Sequence, residues 1–231
     1  MKYLLMTILT LLNSFAWAIG DDGIFDRGNG GDVVICTQPD GKKTYQLLDL
    51  YERDRGPLLT LEKVPDNLSY TDILEHSISR IGRQVPKIET ALRYELEKLN
   101  TSVHFAADSQ IPEIQDEDSY VLASNCALRQ LAVQWGNGSH HGRIYLINAP
   151  YFQFLDEYNK AALILHELVY RLVSFHYPDQ NLTSRMVRVY VRTFLSEQFD
   201  HMGVLFFPGG VLTTLNYLPP NIKRRDPPKS N

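Results

Sequence analysis

Residues 161–173 read AALILHELVYRLV, an apolar stretch that contains one histidine, one glutamate and one arginine. Apolar residues on nearly every side are typical of a helix that is buried all round. His166 and Glu167 need partners inside such a helix, because an unpaired polar group there costs roughly 2–7 kcal/mol. The stretch therefore predicts a central core helix whose His-Glu pair serves structure or chemistry.

Two hairpins are predicted upstream of this helix. A β-branched run at residues 32–36 and an extended run at residues 44–50 flank the turn sequence Gln-Pro-Asp-Gly, which predicts the first hairpin. Residues 126–135 and residues 143–147 flank Gly-Asn-Gly and predict the second.

A long amphipathic helix is predicted between the hairpins. Apolar residues recur at three- and four-residue spacing from Leu74 to Leu99, and Pro86 should kink or split the helix. Together these elements predict the α+β class, with a small mixed or antiparallel sheet of hairpins packed on this long helix and on the His-Glu helix.

The N-terminus has the features of an export signal. Lys2 precedes a short apolar run, and Ala16-Trp17-Ala18 supplies the small residues that a signal peptidase reads. The predicted organisation has four parts, with a signal peptide at 1–18, a flexible lead-in at 19–31, a single domain at 32–218 and a disordered tail at 219–231. The predicted location is periplasmic or secreted.

Charge and composition narrow the classes of partner. The chain has a formal net charge of −4, which gives no electrostatic basis for binding nucleic acid. No stretch after the signal is apolar enough to predict a membrane span in the mature chain. The expected partner is an unidentified protein or envelope component.

Cys36 and Cys126 are the chain's two cysteines. In an exported chain, two cysteines predict a disulfide, and the alternative is a pair of buried thiols.

The strand and the apolar His-Glu helix of residues 120–176 resemble the zincin metallopeptidases. In the zincin motif His-Glu-x-x-His, two histidines bind zinc from one helix face and the Glu is the general base for a zinc-bound water. The resemblance implies His166 as a metal ligand, Glu167 as general base, and a mixed sheet packed on helices.

The chain departs from the zincin pattern at the second histidine. The position four after His166 is Tyr170, and Val173 stands where the extended form of the motif has the Gly that breaks the helix. A helix that continues through Val173 would place His176 about 15 Å along the axis from His166. These two histidines could then not share one ion.

Three hypotheses for the His-Glu pair follow. In the first, His166, Tyr170 as a phenolate and a group from elsewhere hold a metal such as zinc, with Glu167 as base. In the second, the helix is zincin-like but its polar residues serve a buried hydrogen-bond network. In the third, the likeness is accidental and His166 is a satisfied core histidine. The arginines available to the network are Arg171, Arg185 and Arg188.

Other segments resemble uncharacterised exported proteins of predatory bacteria of the Bdellovibrio type. The matching residues are those around Cys36, the run at 47–52, Cys126 with residues 130–132, His166-Glu167 with Tyr170-Arg171, and residues 183–185 with residues 187–188. The resemblance implies no established activity, but it suggests that the His-Glu-x-x-Tyr-Arg form characterises a type of protein.

The functional expectation is a non-catalytic binding or structural protein of the cell envelope or secretome. The alternative is a peptidase-like, metal-dependent hydrolase that uses zinc, with His166 as ligand and Glu167 as general base. No cofactor is required by the first, and zinc is implied by the second.

Overall fold

A computed structural model describes residues 28–29, 31–52, 59–65, 67–112, 120–134, 145–176 and 184–202. It confirms the α+β class, with two small sheets and seven α-helices among those residues. The strands are β1 Gly28–Asn29, β2 Asp32–Thr37, β3 Lys43–Leu47, β4 Val103–Ala106, β5 Cys126–Gln130, β6 Ala132–Gln134 and β7 Tyr145–Asn148. The helices are α1 Leu48–Tyr51, α2 Tyr70–Gln84, α3 Pro86–Ser102, α4 Ala149–Phe154, α5 Glu157–His176, α6 Ser184–Phe194 and α7 Phe199–Met202.

The first predicted hairpin is present as β2 and β3. Both neighbours of β2 are antiparallel to it, in the strand order β3-β2-β5. The turn contains Gly41 at a φ of 82°, a conformation that glycine adopts without steric cost. The second strand is shorter than predicted, because Asn159 Oδ1 accepts the N–H of Leu47 at 2.8 Å and the chain then coils into α1.

The predicted strand at residues 126–135 is wrong as a single element. It is divided at Leu131 into β5, in the three-stranded sheet, and β6, in a second sheet of order β1-β6-β7-β4. The N–H groups of Leu131 and Ala132 both donate to the carbonyl of Gly31, at 3.1 and 3.0 Å, and so leave the ladder. The predicted pairing with the return strand holds for β6 and β7, which are antiparallel.

The long helix is split at Pro86, as its position predicts. Pro86 is the first residue of α3, where its missing N–H costs nothing. Ser69 and Asp72 form a capping box at the start of α2. Both helices contribute buried apolar residues to the main core with α5.

A disulfide joins Cys36 of β2 to Cys126 of β5, as predicted. The two residues are register partners in neighbouring antiparallel strands.

The signal peptide at 1–18 and the tail at 219–231 lie outside the described residues, as does most of the lead-in at 19–31 and the end of the predicted domain beyond residue 202. Among the helices that the structure describes, none has the length and apolar character that crossing a bilayer requires.

Candidate functional site

His166 and Glu167 lie at the centre of the fold, where each is fully buried. The surrounding positions of α5 are buried leucine, alanine and valine residues, so both side chains must find polar partners at long range. Their partners come from three other parts of the chain.

His166 pairs with Asp49 of the short helix α1. Its Nδ1 lies 2.7 Å from Asp49 Oδ2, and neither residue has any exposed surface. Both groups also have an atom without a hydrogen-bond partner among the described residues, namely His166 Nε2 and Asp49 Oδ1. The pair is therefore a buried ion pair that is only partly satisfied.

Glu167 ties the two sheets to α5. Its Oε1 accepts the backbone N–H of Gly31 at 2.8 Å, and its Oε2 accepts the side-chain amide of Gln134 at 2.7 Å. The same amide of Gln134 also donates to the Glu167 carbonyl. Since Gly31 precedes β2 and Gln134 ends β6, one carboxylate connects both sheets to the central helix.

Gly31 is needed because α5 approaches its backbone closely. A Cβ at this position would lie 2.6 Å from Leu163 Cδ1 and 3.1 Å from Leu47 Cδ1. A side chain here would push the backbone N–H away from Glu167.

Burial and neighbouring charges shift the pKa values of both groups upward. Burial lowers the pKa of His166, but the charge and hydrogen bond of Asp49 outweigh it, with a further contribution from Glu167. Burial raises the pKa of Glu167, and the charge of His166 and the hydrogen bonds from Gly31 and Gln134 oppose that rise without cancelling it. In the native state both groups therefore hold their protons more tightly than in the unfolded chain.

We expect the contributions of His166 and Glu167 to the free energy of unfolding to fall as the pH rises above the ordinary pKa values of these groups, 6.5 and 4.5. The stabilising contribution of His166 is complete below its ordinary pKa of 6.5 and is lost as the pH passes through its raised native pKa. Glu167 acts in the same direction above its ordinary pKa of 4.5. Urea unfolding at a series of pH values measures this slope.

The control for this slope is a comparison of two histidine variants. His166→Gln should flatten the profile above pH 6.5, whereas His76→Gln, at an exposed surface pair with Glu62, should leave it close to that of the parent protein. A profile that His166→Gln does not change would contradict the assignment.

Helix α1 also contacts α6 through a second acid. Glu52, three residues after Asp49, accepts hydrogen bonds from Arg188 Nε at 3.0 Å and, through its carbonyl, from Arg192 at 2.9 Å. Arg188 is 1 % exposed and also donates to Ser184 Oγ. Helix α1 and the residue that follows it therefore supply one acid to the histidine of α5 and a second acid to Arg188 of α6.

The other residues of the predicted site are distributed around this centre. The Tyr170 ring lies parallel to the His166 ring, with centroids 6.4 Å apart. Arg171 is buried on α5 and Arg185 is exposed on α6. The structure thus places Tyr170 beside the histidine and gives Arg188 a carboxylate partner, Glu52, that the sequence did not indicate.

The donor set does not fit a zincin-type metal. Helix α5 continues through Val173 to His176, so His176 lies about 15 Å along the axis from His166. Among the described residues, no three His, Cys, Asp or Glu side chains come together as a possible metal site. Both oxygens of Glu167 accept hydrogen bonds and the residue is fully buried, so solvent water does not reach it in this structure.

Sequence reasoning missed four residues of this centre: Gly31, Asp49, Glu52 and Gln134. One signal was present, since Asp49 is an isolated acid in the apolar run Leu47-Leu48-Asp49-Leu50, where burial requires a partner. Gln134 and Gly31 had no such signal, because both stand in ordinary strand and turn sequence.

Comparisons with known proteins give no relative. No family model, no curated protein and no solved structure matches this chain. The likeness to the zincin helix and to exported proteins of Bdellovibrio-type bacteria therefore stays a prediction that rests on the residues themselves.

Proposed function

We propose that this chain is an exported, non-catalytic binding domain of the cell envelope or secretome, in which the His-Glu helix holds the fold together. The observation that carries the proposal is the burial and hydrogen bonding of the Glu167 carboxylate. It is fully buried, and its two carboxylate oxygens accept hydrogen bonds from Gly31, just before β2, and from Gln134 of β6. A general base needs an accessible lone pair within hydrogen-bond reach of a substrate or water.

The placement of Asp49 supports the same proposal. A carboxylate at 2.7 Å from His166 compensates a charge that would otherwise be buried alone. This pair, Glu167 and the Glu52–Arg188 contact link α1, α5, α6 and both sheets.

Export is supported by the signal-like N-terminus and by the Cys36–Cys126 disulfide. Disulfides persist in oxidising compartments outside the cytoplasm.

Metal analysis tests the proposal. We expect much less than one zinc or similar ion per chain in protein purified without chelators, and no change in melting temperature when zinc is added. His166→Ala should lower the melting temperature, because it leaves Asp49 buried without its partner. His76→Ala, at an exposed histidine, is the matched control. One ion per chain that His166→Ala removes would overturn the proposal.

A metal-dependent hydrolase is the second candidate, and one observation favours it. His166 Nε2 is buried without a hydrogen-bond partner among the described residues, while Nδ1 contacts a carboxylate. Metal-binding histidines commonly have this arrangement, in which a carboxylate orients the ring. The same metal analysis decides between the two candidates.

A further inference from the structure

One face of the three-stranded sheet is only half covered. Side chains alternate along a strand, so Val33, Ile35 and Thr37 of β2 share a face with their register partners on β3, which are Leu47, Tyr45 and Lys43. Val33 and Leu47 are buried in the core with α5, whereas Thr37 and Lys43 are exposed. Beyond α5, α4 is the helix that reaches this face among the described residues, and its Phe154 stacks on Tyr45.

A cavity of about 510 Å³ lies on the open end of this face. Its size falls within the range of about 300–1,000 Å³ that is usual for small-molecule sites. We call it the sheet-face groove, and its lining residues on the sheet and on α4 that matter below are Lys43, Tyr45, Asn125, Arg129 and Tyr151.

The groove has a positive character. Lys43 and Arg129 both line it, no carboxylate does, and no described carboxylate forms an ion pair with either cation. Arg129 donates to the Leu128 carbonyl at 2.9 Å and to the Tyr151 hydroxyl, which also contacts Asp108 just outside the groove lining. Lys43 of β3 is the register partner of Thr37, and Arg129 of β5 is that of Val33. Their backbone positions therefore lie on opposite sides of β2 and about 13 Å apart along it.

Aromatic rings and neutral polar groups line the groove together with the two cations. Tyr45 stacks on Phe154 of α4 with ring centroids 4.8 Å apart, and Phe154 is 55 % exposed. Tyr151 is half-buried beside them, with its hydroxyl 3.4 Å from Asp108 Oδ2. Flat rings next to a hydroxyl or amide such as that of Asn125 can contact the apolar face of a ring ligand and bond its polar edge.

The position of the groove excludes two other kinds of ligand. The central strand β2 is hydrogen-bonded on both sides, so an extended peptide cannot add a strand at this face. Two cations on a chain of net charge −4 are also too few to hold a nucleic-acid backbone.

We infer that the sheet-face groove binds an acidic oligosaccharide, whose rings stack on Tyr45 and Tyr151 and whose carboxylates pair with Lys43 and Arg129. The inference rests on the proposed binding function and names its ligand class. Two separated cations are matched by a ligand with at least two carboxylates. The tyrosine rings of the lining are matched by the apolar faces of sugar rings.

Calorimetric titration with two matched probes tests this inference. The first probe is a tetrasaccharide of alternating glucuronate and N-acetylglucosamine, and the second is neutral chitotetraose. We expect the acidic probe to bind, and Lys43→Ala and Arg129→Ala each to weaken its binding about tenfold. Lys42→Ala is the matched control. It removes the same charge from the residue next to Lys43, whose side chain is replaced in the test variant, and Lys42 itself pairs with Asp40.

Three results would overturn the inference: no binding of the acidic probe, equal binding of chitotetraose, or unchanged affinity in both groove variants. Tyr45→Ala should also weaken binding, and a melting curve for each variant shows whether it is folded.

Analysis of the probe after incubation separates this inference from the proposed function. Cleavage of a bound probe would contradict the non-catalytic function while leaving the groove assignment in place. Absence of binding by a metal-free protein would overturn the groove assignment while leaving the non-catalytic function in place.

Discussion

Asp49→Ala is expected to lower the free energy of unfolding by about 3–5 kcal/mol, the usual cost of removing one partner of a buried ion pair. The variant leaves the His166 imidazole fully buried without the carboxylate that now lies 2.7 Å from its Nδ1. It also removes one of the two ties through which α1 connects α5 to α6. Equilibrium unfolding in urea, monitored by circular dichroism, measures the loss.

A double variant shows how much of that loss comes from the uncompensated group. Asp49→Leu with His166→Leu replaces both partners by apolar residues, and it should lose much less stability than the sum of the single variants. Glu75→Ala, which removes a surface ion pair with Arg93, serves as the control and should cost less than about 1 kcal/mol. If Asp49→Ala and Glu75→Ala lowered the free energy of unfolding by similar amounts, the buried pair would stabilise the protein no more than a surface pair does.

Removal of the disulfide is expected to cost about 2–5 kcal/mol. Cys36 and Cys126 are separated by 90 residues, so their bond closes a long loop in the unfolded chain and lowers its conformational entropy. We expect the ladder between β2 and β5 to persist without the disulfide, because the strands pair from Asp32 to Cys36, and the main effect to fall on the unfolded state. Urea unfolding of the protein with and without reductant gives the difference in stability.

The variant Cys36→Ser with Cys126→Ser provides the control for reductant. It should match the reduced parent protein, and further reductant should leave it unchanged. The free energy of unfolding of this variant should fall more steeply with urea than that of the oxidised parent protein, because an unfolded chain without the cross-link exposes more surface. A reduced parent protein with the full stability of the oxidised form would contradict this expectation.

The sequence was sufficient where local signals decide structure. Turn residues predicted the β2–β3 hairpin, Pro86 predicted the boundary between α2 and α3, and the apolar run at 161–173 predicted a core helix. It also predicted that His166 and Glu167 would need partners, and both have them.

The identity of those partners could not be predicted, because it depends on contacts across the whole chain. Asp49 and Gly31 are 117 and 136 residues from their partners on α5. The change of sheet at Leu131 was equally hidden, since the alternation of residues continues from β5 into β6 without a turn residue. Only the carbonyl of Gly31, which takes two successive N–H groups at that point, interrupts the ladder.

The bond from Glu167 to Gly31 has a consequence for the order of folding. A chain emerging from a ribosome or a translocation channel can form the β2–β3 hairpin early, but it cannot complete the centre until α5 has followed. Contacts between residues so distant in sequence carry a large loop-closure cost and are associated with slow folding. The segment around Gly31 therefore stays incompletely folded until α5 is present, which lies more than a hundred residues later in the chain.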